Sequence, residues 1–480
     1  MNLEFLDSLT WSICLFFAAA LRFRKNDYAD VGFLLLHFIL SWINQFSNIR
    51  KSFRHGAGDG IVCGSLAVTA ALGSLEANSF HICIIVSIII DVLFLLNRNG
   101  IPTLDIRFIP IIPLFIIFAI IKVYSITPYS TVNLSSTIMI LIIIISVFMS
   151  LFVLTILMKY APSSFTIGEC IMVSTLSSLP VFHIFNAEGI QRFSSVFIVS
   201  GIICLTLSLL VRKPICIFIL VFPLIFSIFD IGEVFHYIFN INRIVLLVYC
   251  GIVVVVFLLL SVFWKGLERF PRIVQRKFFH LMAFLVFVPP VLIDYQFLRL
   301  CISGAIFLFL FVESLRIVKF PFVYTLISNY VEDFIDERDR GELILTHLFL
   351  LLGLGLPVLM ARDDIPGGLA IHTCGISVLA VGDAVASIVG VNFGKHKWPG
   401  SKKSIEGTIG AFFGTFITLL FVHQFEGASL NIDFSLQTLL CLAIPSLLGA
   451  LDEAFTSQID NLTLPFVMIP PILYTYSLFL

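Results

Sequence analysis

The chain has 480 residues, 59% of them hydrophobic and 12% charged, with a formal net charge of −1 and a mean hydropathy of +1.06. Soluble domains carry about 25% charged residues, so this composition excludes a chain covered on all sides by a water-facing surface. It points instead to a multi-pass membrane protein, and the near-zero net charge gives no reason to expect nucleic acid as a partner.

The N-terminus, MNLEFLDSLTW, has no basic leader, so the first apolar run reads as an anchored segment rather than a cleavable signal. Apolar runs then recur at 8–22, 31–45, 59–78, 81–97, 107–125, 133–158, 166–185, 192–211, 214–233, 243–264, 281–296, 300–318, 343–360, 371–391, 405–423, 434–450 and 464–480. They are continuously apolar rather than alternating, which argues against a barrel and for helices that satisfy their own backbone in lipid. Several fall short of the roughly 20 residues a straight crossing needs, so an all-α polytopic protein with about 13–17 transmembrane or re-entrant helices is expected. The ten cysteines sit mostly inside these runs, as in GIVCGS and FHICIIV, and read as small hydrophobes. The 51 phenylalanines are ordinary for membrane helices and carry no sign of base stacking.

Two regions are expected. Residues 1–260 form a multi-helix membrane region whose basic patches, LRFRKND and SNIRKSFRHG, read as cytosolic topology anchors. Residues 261–480 hold four polar islands between apolar helices, and this is the expected catalytic region.

The first island, KGLERFPRIVQRKFFH, ends in Arg276, Lys277 and His280. Arg276 and His280 are four apart and share a helix face, placed to meet a phosphate at headgroup level or to anchor the helix by snorkelling. The second, YVEDFIDERDRGE, offers Arg338 and Arg340 to a phosphate or to acids of a site, with His347 at the start of the next apolar run as a packed polar residue or a relay. Gly382 and Asp383 then interrupt an apolar helix, and an acid inside a membrane segment is expensive unless functional.

The third island is the loop 394–408, GKHKWPGSKKSIEGT. Lys395, Lys397, Lys402 and Lys403 supply cations, Pro399 and Gly400 signal a turn, and Gly394, Gly400 and Gly407 let backbone approach a ligand. Such features suit a polyphosphate, with Ser401 beside the turn and Ser404 or Thr408 placed to cap the helix that follows. Glu406 suits a cap, a lysine or a metal. The last island, LDEAFTSQIDNLTLP, holds Asp452, Glu453, Asp460 and Asn461; on a continuous helix Glu453 and Asp460 would share a face two turns apart. That pair could hold a metal or a lysine; Asp383 is the stronger candidate for a divalent metal, with Asp460 as a second ligand, because Mg²⁺ is held by one or two carboxylates together with substrate phosphates. Asn461 and Asn133 begin formal N-x-Ser/Thr sequons. There is no CxxC pair, HExxH segment or GxSxG elbow, and GVNFGK is not a P-loop, because only three residues separate its glycines.

The segments RKFFH, DERDRGELILTH, VGDAVASIVGVNFGKHKWPGSKKSIEGT and EAFTSQIDNLTLP together resemble dolichol kinases of the wider polyprenol kinase family, over roughly residues 265–480. The GD…G…GK…KK…EGT segment is also similar to the signature of phosphatidate cytidylyltransferases. The resemblance implies CTP as phosphoryl donor, a divalent cation (Mg or Ca), and dolichol within membrane lipid as acceptor. It implies a multi-pass protein of the endoplasmic reticulum with its site facing the cytosol. Its product, dolichyl phosphate, would supply N-glycosylation, O-mannosylation and GPI-anchor assembly. On that basis Asp383, Asp460 and Glu406 are the expected catalytic residues and the loop from Lys395 to Thr408 the CTP site. Arg276, Lys277, His280, Arg338, Arg340, His347, Glu453 and Asn461 are expected to give support. Protein partners and oligomeric state stay open.

Overall fold

The computed structural model describes residues 3–47, 57–75, 77–96, 136–186, 189–212, 231–266, 272–321, 324, 341–361, 365, 367–425 and 434–479. The described secondary structure is helical apart from one isolated bridge. The helices are α1 (Leu3–Arg24), α2 (Tyr28–Ser47), α3 (Ile61–Leu75), α4 (Ala77–Leu96), α5 (Ser136–Tyr160), α6 (Ile167–Leu176), α7 (Ser178–Asn186) and α8 (Gly189–Val211). They continue with α9 (Ile231–Ile238), α10 (Ile241–Gly266), α11 (Arg272–Ile317), α12 (Thr346–Met360) and α13 (Gly368–Gly375). A π-helical segment, Ile376–Gly382, then leads into α14 (Asp383–Phe393), followed by α15 (Ile405–His423), α16 (Leu436–Phe455) and α17 (Asp460–Phe479). Among the described residues, ten helical stretches are long and apolar enough to cross a membrane. The expected span at 107–125 and residues 214–230 of that at 214–233 lie outside the described residues; the described parts of the others fall largely on helix.

The chain divides into two compact units, one made of Met1–Leu21, Phe229–Ile302 and Phe349–Leu480, the other of Arg22–Ile228 and Ser303–Leu348. The second unit is a bundle with a polar centre. Asp91, fully buried on α4, accepts hydrogen bonds from Ser41 (2.9 Å), Ser65 (3.0 Å) and the Asn44 amide (3.2 Å), and lies 3.2 Å from His37 Nε2. Nearby on the same helices, Asp30 meets His81 at 3.0 Å and Arg22 at 3.4 Å. A charge is tolerated inside such a bundle only when donors surround it, and both acids have them. The capping box of Thr166 and Glu169 opens α6. Glu342, at the described end of the second polar island, accepts from the Ser163 amide at 3.1 Å, and Arg316 joins Glu313 to the Glu342 carbonyl.

Helices α3 and α6 of this unit touch backbone to backbone. A Cβ on Gly64 would lie 2.1 Å from the Gly168 carbonyl oxygen, and one on Gly168 would lie 2.0 Å from that of Gly60. Small residues permit this approach, which is a main source of helix association in lipid.

In the first unit, α14, α15, α16 and α17 pack in succession as antiparallel neighbours. Glycines again set the spacing: a Cβ on Gly407 would stand 3.1 Å from the Ala386 carbonyl, and one on Gly382 would stand 2.3 Å from Thr415 Oγ1. Helix α17 is buried along most of its length, and α1 joins it through Cys14 Sγ, 3.4 Å from the Val467 carbonyl. Helix α11 breaks after Pro289 and Pro290, at Asp294 (φ −155°, ψ 79°), whose carboxylate caps the following turn at the Phe297 amide (2.9 Å) and pairs with Arg243 (2.8 Å). The antiparallel order brings the loop 394–404 and the turn 456–459 to one end of the unit. At the other end, Tyr476 bonds His423 (3.1 Å) and packs against Gly367, whose φ of 72° favours glycine.

Gly64→Ala or Gly168→Ala must push α3 from α6 and is expected to lower the melting temperature of the solubilised protein, since overpacking costs about 1–3 kcal/mol or more. Gly32→Ala, where a Cβ meets nothing within 4 Å, is expected to leave it unchanged. Equal melting by all three variants would contradict the close packing.

Candidate functional site

The loop 394–404 is a folded hairpin rather than a slack linker. Lys397 and Ser404 form an antiparallel bridge, the Trp398 amide bonds the Lys403 carbonyl (3.1 Å), and the Ile405 amide bonds the His396 carbonyl (2.8 Å). Trp398-Pro399-Gly400-Ser401 closes with a Ser401 amide to Trp398 carbonyl bond of 3.0 Å. Gly400 has φ 78°, so proline and glycine occupy the positions a type II turn requires. Gly394 fits where it does because a Cβ there would lie 2.2 Å from the Gly390 carbonyl and 2.6 Å from Ser404 Oγ.

Of the two candidate caps, Ser404 does the capping: its hydroxyl accepts from the Gly407 amide at 3.1 Å. Thr408 instead takes a hydrogen bond from the Trp398 indole (2.9 Å), while that indole packs edge-on against Phe455 at 5.0 Å. Glu406 faces back to the loop, accepting from the His396 amide (3.2 Å) and lying 2.7 Å from His396 Nδ1. His396 and Trp398 therefore fasten the loop to the start of α15, and sequence reasoning singled out neither. Ser401 reaches across to the Ala454 carbonyl at 3.5 Å.

The four lysines divide. Lys395, Lys397 and Lys402 are exposed, whereas Lys403 turns inward. Its Nζ bonds both the backbone carbonyl of Glu453 and Glu453 Oε1, the latter at 2.6 Å, with the side chains 33% and 9% exposed. Burial works to lower the Lys403 pKa, but the Glu453 and Asp460 carboxylates, the Glu453 hydrogen bond and then Asp383 outweigh it and leave the pKa raised. Because the shift is upward, the ammonium's contribution to stability is complete below lysine's ordinary pKa of about 10.4 and is lost only as pH rises through the higher folded value. Lys403 thus stays charged at neutral pH, paired with Glu453 and within the electrostatic influence of Asp460 and Asp383.

Glu453 and Asp460 do not share a continuous helix. Helix α16 ends at Phe455, Thr456 is extended, and α17 starts at Asp460. The Gln458 amide bonds Thr456 Oγ1 (3.2 Å) in the turn between the two helices. Asp460 also accepts from the Asn461 amide (2.8 Å). The sequon at Asn461 lies in the first turn of α17 with Thr463 buried, rather than in an open loop; Asn133 lies outside the described residues.

Asp383 follows directly on the π-helical segment. Its amide bonds the Val378 carbonyl, five residues back, instead of the Leu379 carbonyl, four back. The Leu379 carbonyl receives His280 Nδ1 at 2.8 Å, and the same nitrogen is 3.5 Å from Asp383 Oδ2. Gly382 packs against Thr415, whose buried hydroxyl, like that of Ser377, has no hydrogen-bond partner among the described residues.

Among the described residues no three His, Cys, Asp or Glu side chains converge to cage a metal ion. Asp383 and Asp460 both act electrostatically on Lys403, and a divalent ion that takes its other ligands from phosphate and water needs only one or two carboxylates. Arg276 and Lys277 lie on the turn of α11 just before His280. Arg338 and Arg340 lie outside the described residues, and the exposed His347 belongs to the other unit.

The chain matches no protein-family model and no solved structure. It is similar to curated dolichol kinases: 36% identical over 211 residues to that of Mus musculus, covering 42% of this chain and 38% of the relative. It is 34% identical over 197 residues to that of Saccharomyces cerevisiae, covering 41% and 36%. It is 33% identical over 201 residues to that of Arabidopsis thaliana, covering 42% and 35%. The similarity thus spans less than half the length of these relatives, and within it the chain is similar to dolichol kinases from animal, fungus and plant.

Proposed function

We propose that this protein is a CTP-dependent dolichol kinase of the endoplasmic reticulum membrane, with its site facing the cytosol. The similarity to dolichol kinases supports the reaction class. The observation that carries the site is the juxtaposition of three exposed lysines, Lys395, Lys397 and Lys402, with Lys403 and the acids it gathers. Dolichyl phosphate made here would supply N-glycosylation, O-mannosylation and GPI-anchor synthesis.

In this reading the exposed lysines and the start of α15 receive the CTP phosphates, where point cations and a helix N-terminus both favour negative charge. Lys403 is a structural cation that holds Glu453 and draws Asp460 and Asp383 together. Glu406 keeps the loop folded through His396. A divalent ion held by Asp383 and Asp460 would neutralise charge on the phosphate oxygens. The dolichol hydroxyl enters from the bilayer, and its oxygen forms a bond to the γ-phosphorus. The bond to the β-phosphate oxygen breaks, CDP leaves, and a carboxylate, Asp383 or Asp460, takes the hydroxyl proton. The arrangement does most of its work by positioning.

Incubating the purified protein with γ-labelled CTP and either dolichol or phosphatidate tests the reading. Labelled dolichyl phosphate is expected; labelled pyrophosphate with phosphatidate would instead select a cytidylyltransferase. Asp383→Asn is expected to cut kcat by about a hundredfold or more at unchanged abundance, and full activity would remove Asp383 from the mechanism. Lys402→Ala should raise the KM for CTP without changing the melting temperature. Lys403→Ala should lower the melting temperature as well, because it leaves the buried Glu453 carboxylate without its cation. Identical behaviour of the two variants would contradict the division of the lysines.

A further inference from the structure

The π-helical segment before Asp383 has a consequence for His280, which lies about a hundred residues upstream on α11 and is 7% exposed. An α-helix gives each residue about 100° of rotation, so the extra residue in a π turn re-aims whatever follows it by about that angle. The residue that follows is Asp383. The turn also has a cost: the Asp383 amide has moved to Val378, and the Leu379 carbonyl has lost the donor an α-helix would give it. A buried carbonyl in a membrane segment needs a replacement donor. His280 Nδ1 is that donor, at 2.8 Å, and because a carbonyl only accepts, Nδ1 carries the proton. The same nitrogen lies 3.5 Å from Asp383 Oδ2, so one imidazole nitrogen addresses both the turn and the carboxylate it aims.

We propose that His280 is a positioning residue, which holds the π turn through its Nδ1–H on the Leu379 carbonyl and thereby sets the direction of the Asp383 carboxylate. The proposal rests on the reading of Asp383 as a reactive or ion-binding carboxylate. It assigns His280 no contact with phosphate. The alternative use, an imidazole addressing phosphate through Nε2, makes the opposite demand on the side chain.

Substitution by amides separates the two. The amide nitrogen of asparagine occupies the place of histidine Nδ1, and that of glutamine occupies the place of Nε2. His280→Asn, His280→Gln and His280→Ala would be prepared in the full-length protein in lipid nanodiscs. Each would be assayed for kcat and for KM towards CTP and dolichol, and by hydrogen exchange of the backbone over residues 376–384. The expected result is that His280→Asn keeps kcat within about threefold of the wild type. His280→Gln and His280→Ala should lose about tenfold or more in kcat with little change in the KM for CTP, as a misdirected group would cause. Exchange over 376–384 should rise in the glutamine and alanine variants and stay low in the asparagine variant. Retention by glutamine and loss by asparagine would overturn the proposal in favour of an Nε2 role. Equal kcat and equal exchange in all three variants would overturn it outright. A wild-type protein that does not phosphorylate dolichol would refute the functional reading, and the exchange pattern would then decide the role of His280 by itself.

Discussion

A backbone amide or carbonyl in lipid must find its partner inside the protein, because no water stands ready to replace one. That constraint accounts for the helices, and also for what happens wherever a helix is broken. At Asp294 the side chain itself caps the next turn and Arg243 neutralises it. At the end of α12, Arg299 donates to the carbonyls of Val358 and Ala361. At the π turn His280 supplies the missing donor. Between α16 and α17 the Thr456 hydroxyl instead accepts from the Gln458 amide, and at the start of α15 the Ser404 hydroxyl accepts from the Gly407 amide. Each interruption is thus marked by a polar or charged residue that satisfies the broken backbone, and three of them lie at the candidate site.

The same reasoning explains why the charges of the site are grouped as they are. One lysine turned inward onto Glu453 stays charged near neutral pH, while three lysines left in solvent stay available to a ligand. Both roles come from one short hairpin. It can divide them because a proline–glycine turn, an indole packed on Phe455 and a glutamate gripping His396 fix its shape.

Much of this was legible from composition and spacing. Continuous apolar runs announced helices, Pro399–Gly400 announced the turn, and an acid in the apolar run around Asp383 marked the candidate site. Other features left little trace. Adjacent lysines, Lys402 and Lys403, look alike in a sequence and differ only by which side of the hairpin they leave. The segment ISVLAVG gives no hint of a π turn, since the signal lies in His280, far upstream. The stretch TSQI carries neither glycine nor proline, so a continuous helix was the natural expectation for Glu453 and Asp460. The glycine contacts of α3 with α6 were visible as small residues, but their partners were not.

The assembly of the first unit has a consequence in time. Its members come from the two ends of the chain: α1 buries Trp11 and Cys14, and Cys14 bonds the Val467 carbonyl, 453 residues later. At about 5–20 residues per second, the ribosome delivers that partner tens of seconds after α1 has entered the bilayer. Throughout that interval α1 holds Asp7, which ends up buried in the folded protein, without the helices that finally enclose it. Biogenesis therefore needs α1 to wait, shielded by the insertion machinery or by transient neighbours. A lesion near the C-terminus would then be felt first as an orphaned N-terminal helix.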